Sequence, residues 1–343
     1  MKNIKNSTLL IIFGALALIV LFFFLYDSKK GERSFRGELF TIDSARVSRL
    51  TIYPKGKNKT LIVLSGSGRD WKITSGKKYW PADTNMMRQL ISSLVNAKPE
   101  LVAGTDRSSW KELEVTDTSS IRVVVEQGND VVADFRVGKI SFSRGGRAYN
   151  GRQGMSAKSH IRVAGDEKVY AVDGFLSMTF RDEPSAYRIK QLCRFDKNQV
   201  NRLTFIYPGD SSFILTKQEN HWKMGDKPAD SANIANYLNS LAYLSNGEFA
   251  DDNQIPVTYS HTLRIEGTNI PLIEIQGAVN EESKLFFVKS NLNPSAVFGG
   301  ANPSLFRKVF PCRGQFEPAQ KKLITGKGKL LPAPKKGRAG KKK

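Results

Sequence analysis

From Val47 onward the apolar residues mostly alternate with polar ones, the period of half-buried strands, and twice this gives way to a helical period. Val47, Leu50 and Ile52 precede Leu61-Ile62-Val63-Leu64, with Pro54-Lys55-Gly56-Lys57-Asn58 as a turn between them. Gly66-Ser67-Gly68 makes a second turn before Trp71-Lys72-Ile73, so the spacing predicts an antiparallel meander. After Pro81-Ala82-Asp83 the apolar positions are Met87, Leu90, Ile91, Leu94 and Val95, one stripe of a helix that Pro99 stops. Asp83 is placed to accept hydrogen bonds from the first free backbone N–H groups of that helix. Strands are expected again at Ile121–Val125 and Val131–Val137, with Gly128-Asn129-Asp130 as the hairpin tip. A late strand, Val169–Val172, leads into a short helix at Gly174-Phe175-Leu176.

The same order then returns. Val47-Ser48-Arg49-Leu50-Thr51-Ile52 reappears as Val200-Asn201-Arg202-Leu203-Thr204-Phe205, Trp71-Lys72-Ile73 as Trp222-Lys223-Met224, and Pro81-Ala82-Asp83 as Pro228-Ala229-Asp230. Three signatures in one order indicate an internal duplication. Asp230 should cap a second helix with Ile234, Tyr237, Leu238, Leu241 and Ala242 on its buried stripe. Leu263-Arg264-Ile265 and Ile270–Ile275 stand for the later strands, where Pro271 implies an edge strand or a strand start. Lys284–Val288 followed by Ser304-Leu305-Phe306 reads as the counterpart of the late strand and short helix.

Ahead of both copies, Leu9–Tyr26 carries eighteen uncharged residues. At about 1.5 Å per residue that is roughly 27 Å of helix, close to the hydrocarbon thickness of a bilayer. No small-residue cleavage site follows, so an uncleaved anchor is expected rather than a signal peptide. Lys29, Lys30, Arg33 and Arg36 after the segment outnumber Lys2 and Lys5 before it, a count that favours a cytoplasmic body. A short basic tail before a first apolar segment is nevertheless the form of a signal anchor, and large domains cross regardless of flanking charge. The body is therefore expected outside the cytoplasm. The expected fold class is α+β: an N-terminal transmembrane helix followed by two tandem similar units of mostly antiparallel β-sheet, each covered by one long helix. The corresponding divisions are a basic tail 1–8, a transmembrane helix 9–26, a linker 27–42, repeat units 43–192 and 193–316, and a disordered Lys-rich tail 317–343.

The net charge of +21 is unevenly placed, with +9 in the tail from Glu317 to Lys343. Such a chain favours anionic partners: lipid headgroups, envelope polymers or nucleic acid. No RNA- or DNA-binding signature supports the last, so nucleic acid is not an expected partner. The most tempting surface feature is Lys139–Lys158, which holds Arg144, Gly145, Gly146, Arg147, Gly151, Arg152, Gly154 and Lys158. It reads either as a long glycine-rich hairpin loop with solvated charges or as a flexible basic finger for an anion. The second copy lacks it.

Catalytic signals are sparse. His160, His221 and His261 are far apart and no Cys-x-x-Cys pairing exists, so neither a metal nor any other cofactor is expected. Neither a nucleophile elbow nor a phosphate loop is present. Ser108-Ser109-Trp110-Lys111 matches Ser-x-x-Lys without its partner motifs and reads as a surface turn. Asp83 and Asp230 are imaginable as paired carboxylates, but helix capping explains both, so no catalytic residue is assigned. Trp71 and Trp222 read as packed against their own sheets. Cys193 and Cys312 read as two small buried hydrophobes or, in an oxidising compartment, as a disulfide.

The N-terminal anchor, the Val-x-Arg-Leu-Thr strands, the Trp-Lys-Ile strand, the Pro-Ala-Asp helix starts and the Arg194-Phe195-Asp196 junction together resemble the bacterial family called domain of unknown function 4340. The resemblance covers Asp43 to Phe316, and the long Lys-rich tail departs from it. It implies a single-pass envelope protein, often encoded beside ABC-transporter genes of the gliding-motility auxiliary type, and no established catalytic residues. The expected function is that of a non-enzymatic accessory or scaffolding protein of an envelope ABC-transport system, with transporter subunits as partners. The alternatives are a membrane-anchored binder of anionic polymer or lipid through the basic loop and tail, and an enzyme with an unrecognised site.

Overall fold

The computed structural model describes residues 38–318 except 57, 150, 151, 252, 254, 256 and 257, and at 143–149 and 152–155 it describes the backbone alone. The apolar segment Leu9–Tyr26 and the Lys-rich tail from residue 319 lie outside the described residues. Among the described residues, no helix is long and apolar enough to cross a membrane.

The fold is α+β, with two mostly antiparallel sheets and few helices. In the first sheet a meander of β1 (Arg49–Tyr53), β2 (Ile62–Ser67), β3 (Asp70–Ser75) and β4 (Lys78–Pro81) is followed by helix α1 (Thr84–Val95). Then come β5 (Pro99–Gly104), β6 (Ile121–Gln127), β7 (Asp130–Tyr149), β8 (Arg152–Val163), β9 (Val169–Asp173) and the one-turn helix α2 (Leu176–Thr179). The strand order is β4-β3-β2-β1-β6-β7-β8-β9-β5. The second sheet repeats the plan with β10 (Val200–Ile206), β11 (Phe213–Gln218), β12 (His221–Met224), β13 (Lys227–Pro228) and helix α3 (Ser231–Leu241). It continues with β14 (His261–Gly267), β15 (Ile273–Asn280), β16 (Leu285–Ser290), β17 (Asn293–Gly300) and α4 (Ser304–Val309). Its order, β13-β12-β11-β10-β14-β15-β16-β17, matches the first strand for strand apart from β5.

That correspondence corrects one element of the sequence reading. The counterpart of β9 (Val169–Asp173) is β17 (Asn293–Gly300), whereas Lys284–Val288 falls on β16, the counterpart of β8. The slip arose because β8 lies in the glycine- and arginine-rich stretch that composition assigns to a loop. Polar and small residues hide a strand whose backbone is satisfied by pairing with β7.

By compactness the chain divides into one unit of 1–192, 245–254 and 293–300, and another of 193–244, 255–292 and 301–343. In the first, α1 lays Met87, Leu90, Ile91 and Leu94 into a core shared with Leu50, Ile52, Ile62, Leu64, Ile73, Val123, Val125, Phe135, Val137 and Ile161 from the sheet. Val95, expected on that stripe, is exposed at its rim. Asp83 accepts from the Asn85 and Met86 backbone N–H groups at 2.9 and 3.2 Å. In the second unit Asp230 does the same for Ala232 and Asn233, both at 3.0 Å. There Tyr237 of α3 packs 5.9 Å from the Phe205 ring and donates to the Val309 carbonyl at 2.7 Å. Trp71 and Trp222 are buried in their own units.

Candidate functional site

Three successive strands of the first sheet carry the same triplet: Ile121-Arg122-Val123 on β6, Phe135-Arg136-Val137 on β7 and Ile161-Arg162-Val163 on β8. The apolar flanks Ile121, Val123, Phe135, Val137 and Ile161 are buried in the core. Strand alternation therefore sends each arginine to the opposite face. The register then aligns them, because Arg122 is the partner of Arg136 and Arg136 is the partner of Arg162. Tyr53 of β1 opposes Arg122 and extends the row.

Each guanidinium is held differently. Arg122 grips Asp134 through Nε at 2.8 Å and Nη2 at 2.6 Å, which raises its pKa, and lies 4.9 Å from the centre of the Tyr53 ring. Arg162, buried, donates from Nε to the Val115 carbonyl at 3.0 Å and from Nη2 to Asp117 at 2.9 Å. Its guanidinium also lies 3.7 Å from the centre of the Trp110 ring, a cation–π contact. Arg136, in the middle, has Asp117 Oδ1 at 3.0 Å from its Nε, the same oxygen that serves Arg162. Burial pushes the Arg136 pKa down, and the neighbouring guanidinium groups of Arg162 and Arg122 add to that.

The loop that supplies Val115 and Asp117 is fixed by a small core of Leu113, Val115 and Val169, with Trp110 packed against it. Lys139 N–H donates to the Leu113 carbonyl at 3.1 Å and Trp110 Nε1 donates to the Glu167 carbonyl at 2.8 Å. A cavity of about 320 Å³ lies against the row, lined by Asp117, Arg122, Asp134, Arg136, Arg162 and Gly165. A second of about 210 Å³ is lined by Tyr53, Lys59, Ser120 and again Asp117, Arg122 and Arg136. Three fixed cations and two carboxylates facing open space form an electropositive cradle, suited to holding an anion in place.

The stretch singled out in sequence, Lys139–Lys158, is not a loop. It is the far half of the β7–β8 hairpin, paired from Ser141↔Lys158 out to Tyr149↔Arg152. Backbone pairing alone builds the ladder there, in a stretch whose composition reads as a loop. β9 pairs with β8 only as far as Lys158, so the strands beyond it form a two-stranded ribbon roughly 25 Å long at about 3.4 Å per residue. Arg144, Arg147 and Arg152 lie on this ribbon, whereas Lys158 at its base is tied to Glu100 at 2.5 Å.

The family model of the domain of unknown function DUF4340 matches residues 71–261. The chain belongs to the DUF4340 family. No curated protein and no solved structure matches it. The DUF4340 match takes in β6, β7 and β8 and hence the whole arginine row, together with the Pro-Ala-Asp start of each long helix.

The other residues weighed in the DUF4340 chain fall apart in space or into ordinary roles. Ser108 donates to Asp106 within a one-turn 3-10 helix, Arg107–Trp110. Cys193 is buried with its thiol pushed up to about 12 by desolvation, while Cys312 is exposed, so the expectation of two buried thiols fails for the second. Both are free thiols. Among the described residues no group of His, Cys, Asp and Glu is arranged to hold a metal. The arginine row itself escaped the sequence reading. Its signal was present as the thrice-repeated apolar-Arg-Val triplet, but the register that brings the three together is not written in any one strand.

Proposed function

We propose that this DUF4340 protein is a membrane-anchored, non-catalytic accessory protein of the bacterial envelope, working with the subunits of an ABC-transport system. The observation that carries this reading is the uncharged segment Leu9–Tyr26 standing directly before a duplicated β-rich body. In the finer form of the proposal that segment is an N-terminal transmembrane helix and the body lies outside the cytoplasm. Each repeat, covered by one long helix, then presents the outer face of its sheet to partners. Purification of the full-length protein in mild detergent should bring down transporter subunits, and protease added to intact spheroplasts should degrade the body. A protein that is reproducibly solitary, or protected until the cells are lysed, overturns the reading.

A second reading, binding of anionic lipid or envelope polymer, is favoured by the ribbon. Arg144, Arg147 and Arg152 lie along it, and exposed Phe142, Phe175 and Met178 lie near its base. Phe142 opposes Ala157, whose carbonyl accepts from the Gly174 N–H at 2.8 Å, so the aromatic groups flank the same strand. Cations beside exposed apolar groups are the pattern of a surface that rests on a lipid interface. The Lys-rich tail 317–343 adds charge to the same end of the argument. Replacing Arg144, Arg147 and Arg152 by Gln should abolish sedimentation with phosphatidylglycerol vesicles at low salt. Retention that persists in high salt refutes the electrostatic form of this reading.

A further inference from the structure

We propose that the cross-strand row Arg122–Arg136–Arg162 is a binding site for an oxyanion of the phosphoryl class. The inference does not depend on the membrane-accessory reading and concerns a different surface from the ribbon. Like charges directly opposed across a sheet are destabilising, and here two such pairs follow one another. Asp134 occupies Arg122, and Asp117 is divided between Arg136 and Arg162, so three guanidinium groups face two carboxylates. The excess positive charge is centred on Arg136, the half-buried middle member.

The duplication supplies an internal comparison. Tyr53 corresponds to Ile206 by the shared Arg-Leu-Thr strand, and Ile206 opposes Thr262, which opposes Gln276, which opposes Lys289. Where the first copy has Arg122, Arg136 and Arg162, the second has Thr262, Gln276 and Lys289 at the same register. The middle position there is an amide that donates to Glu274 at 2.8 Å. The fold therefore does not require three arginines. One sheet solves this row with a single charge, and the other keeps a repulsive arrangement beside two cavities.

Ligand class follows from the geometry of the donors. A carboxylate offers two oxygens in one plane, whereas a phosphoryl group offers tetrahedrally disposed oxygens to several donors arriving from different directions. Neighbouring strands lie about 4.8 Å apart, so adjacent guanidinium groups can share one tetrahedral anion. The cavity of about 320 Å³ is of a size for a phosphoryl group carrying a small substituent. Tyr53 and Trp110 close the ends of the row and restrict the arginine rotamers. The phosphoryl group could be that of a soluble phosphate or of a phospholipid headgroup, and the experiment separates these.

Full-length protein in detergent is titrated with inorganic phosphate at constant ionic strength held by chloride, and binding is read by calorimetry and by the thermal midpoint. Phosphatidylglycerol–phosphatidylcholine vesicles form a second arm and acetate a competitor. Two variants are compared: Arg136→Gln, which installs the residue of the second copy, and Arg136→Lys, which keeps the charge but loses the planar fork. The expected result is phosphate-dependent stabilisation of the wild type, weakened about tenfold or more in both variants. Vesicle binding lost in Arg136→Lys, without a response to free phosphate, assigns the headgroup as the source and supports the class. Wild-type affinity in Arg136→Lys overturns the site, as does the absence of any response in both arms. Acetate that competes as well as phosphate overturns the class. If Arg136→Gln fails to fold, the charge-retaining variant decides alone.

Discussion

Asp83 and Asp230 do one job each, and the job is measurable. Each carboxylate accepts from two backbone N–H groups that the helix itself cannot satisfy. Asp83→Ala and Asp230→Ala should each cost about 1 kcal/mol in chemical denaturation, with no loss of phosphate-dependent stabilisation in Asp83→Ala. These caps were legible because a cap is a local device: the acceptor and its donors are two or three residues apart. His261 shows the opposite case. It sits among the rings of Tyr207 at 5.0 Å, Phe306 at 5.0 Å and Phe310 at 5.5 Å, and burial holds its pKa below 6.5. The folded state thus binds the proton less well than the unfolded chain. Its stabilising contribution is whole above about pH 6.5 and falls away as the pH drops through that value toward the folded pKa. The denaturation midpoint of the second unit should fall on going from neutral pH to about pH 5, and His261→Gln should flatten that dependence. Equal slopes for the two proteins would disprove it. Nothing in the sequence around His261 announces this, because its neighbours come from two distant segments, Tyr207 and the helix end that carries Phe306 and Phe310.

At the scale of elements, Gly138 connects the hairpin to the arginine row. It is buried on β7, and a Cβ there would run into the Leu113 carbonyl oxygen and lie 2.6 Å from Val115 Cγ1. The same close approach lets the Leu113 carbonyl accept from Lys139 and sets Val115 and Asp117 against Arg162. Backbone in the way cannot rotate aside, so Gly138→Ala should cost about 1–3 kcal/mol. It should also strengthen phosphate-dependent stabilisation, since it moves Asp117, the carboxylate that competes for Arg136 and Arg162, away from them. A variant as stable as wild type, read by thermal denaturation, would show that the 113–117 loop yields freely. Alternation of apolar and polar residues identified β1, β2, β3 and β6 because each has one face in the core. It failed on the outer half of β7 and β8. Composition carries no period there, and pairing alone defines the strands.

For the whole molecule, the repeat seen in sequence and the compact units seen in space are not the same division. Residues 245–254 and 293–300 lie within the second copy in the chain but belong to the first compact unit. Within that unit Arg188, 6% exposed, has Asp251 Oδ2 at 2.5 Å from its Nη1 and stacks 3.7 Å from the centre of the Phe249 ring. Asp251 Oδ1 also accepts from the Val297 N–H at 2.7 Å. Removing one partner leaves the other charge buried and unpaired, so Asp251→Ala should cost about 3–5 kcal/mol. Denaturation of the full chain checks this, and a loss below about 1 kcal/mol would place the pair among ordinary surface ion pairs. The duplication, the caps, the long helices and the antiparallel meanders were determined by the sequence alone, since each rests on residues close together in the chain or on one period. The ribbon, the alignment of Arg122, Arg136 and Arg162, and the burial of Arg188 against Asp251 were decided only by tertiary structure. Register and long-range pairing depend on which strands become neighbours, and that is a property of the assembled sheet rather than of any segment in it.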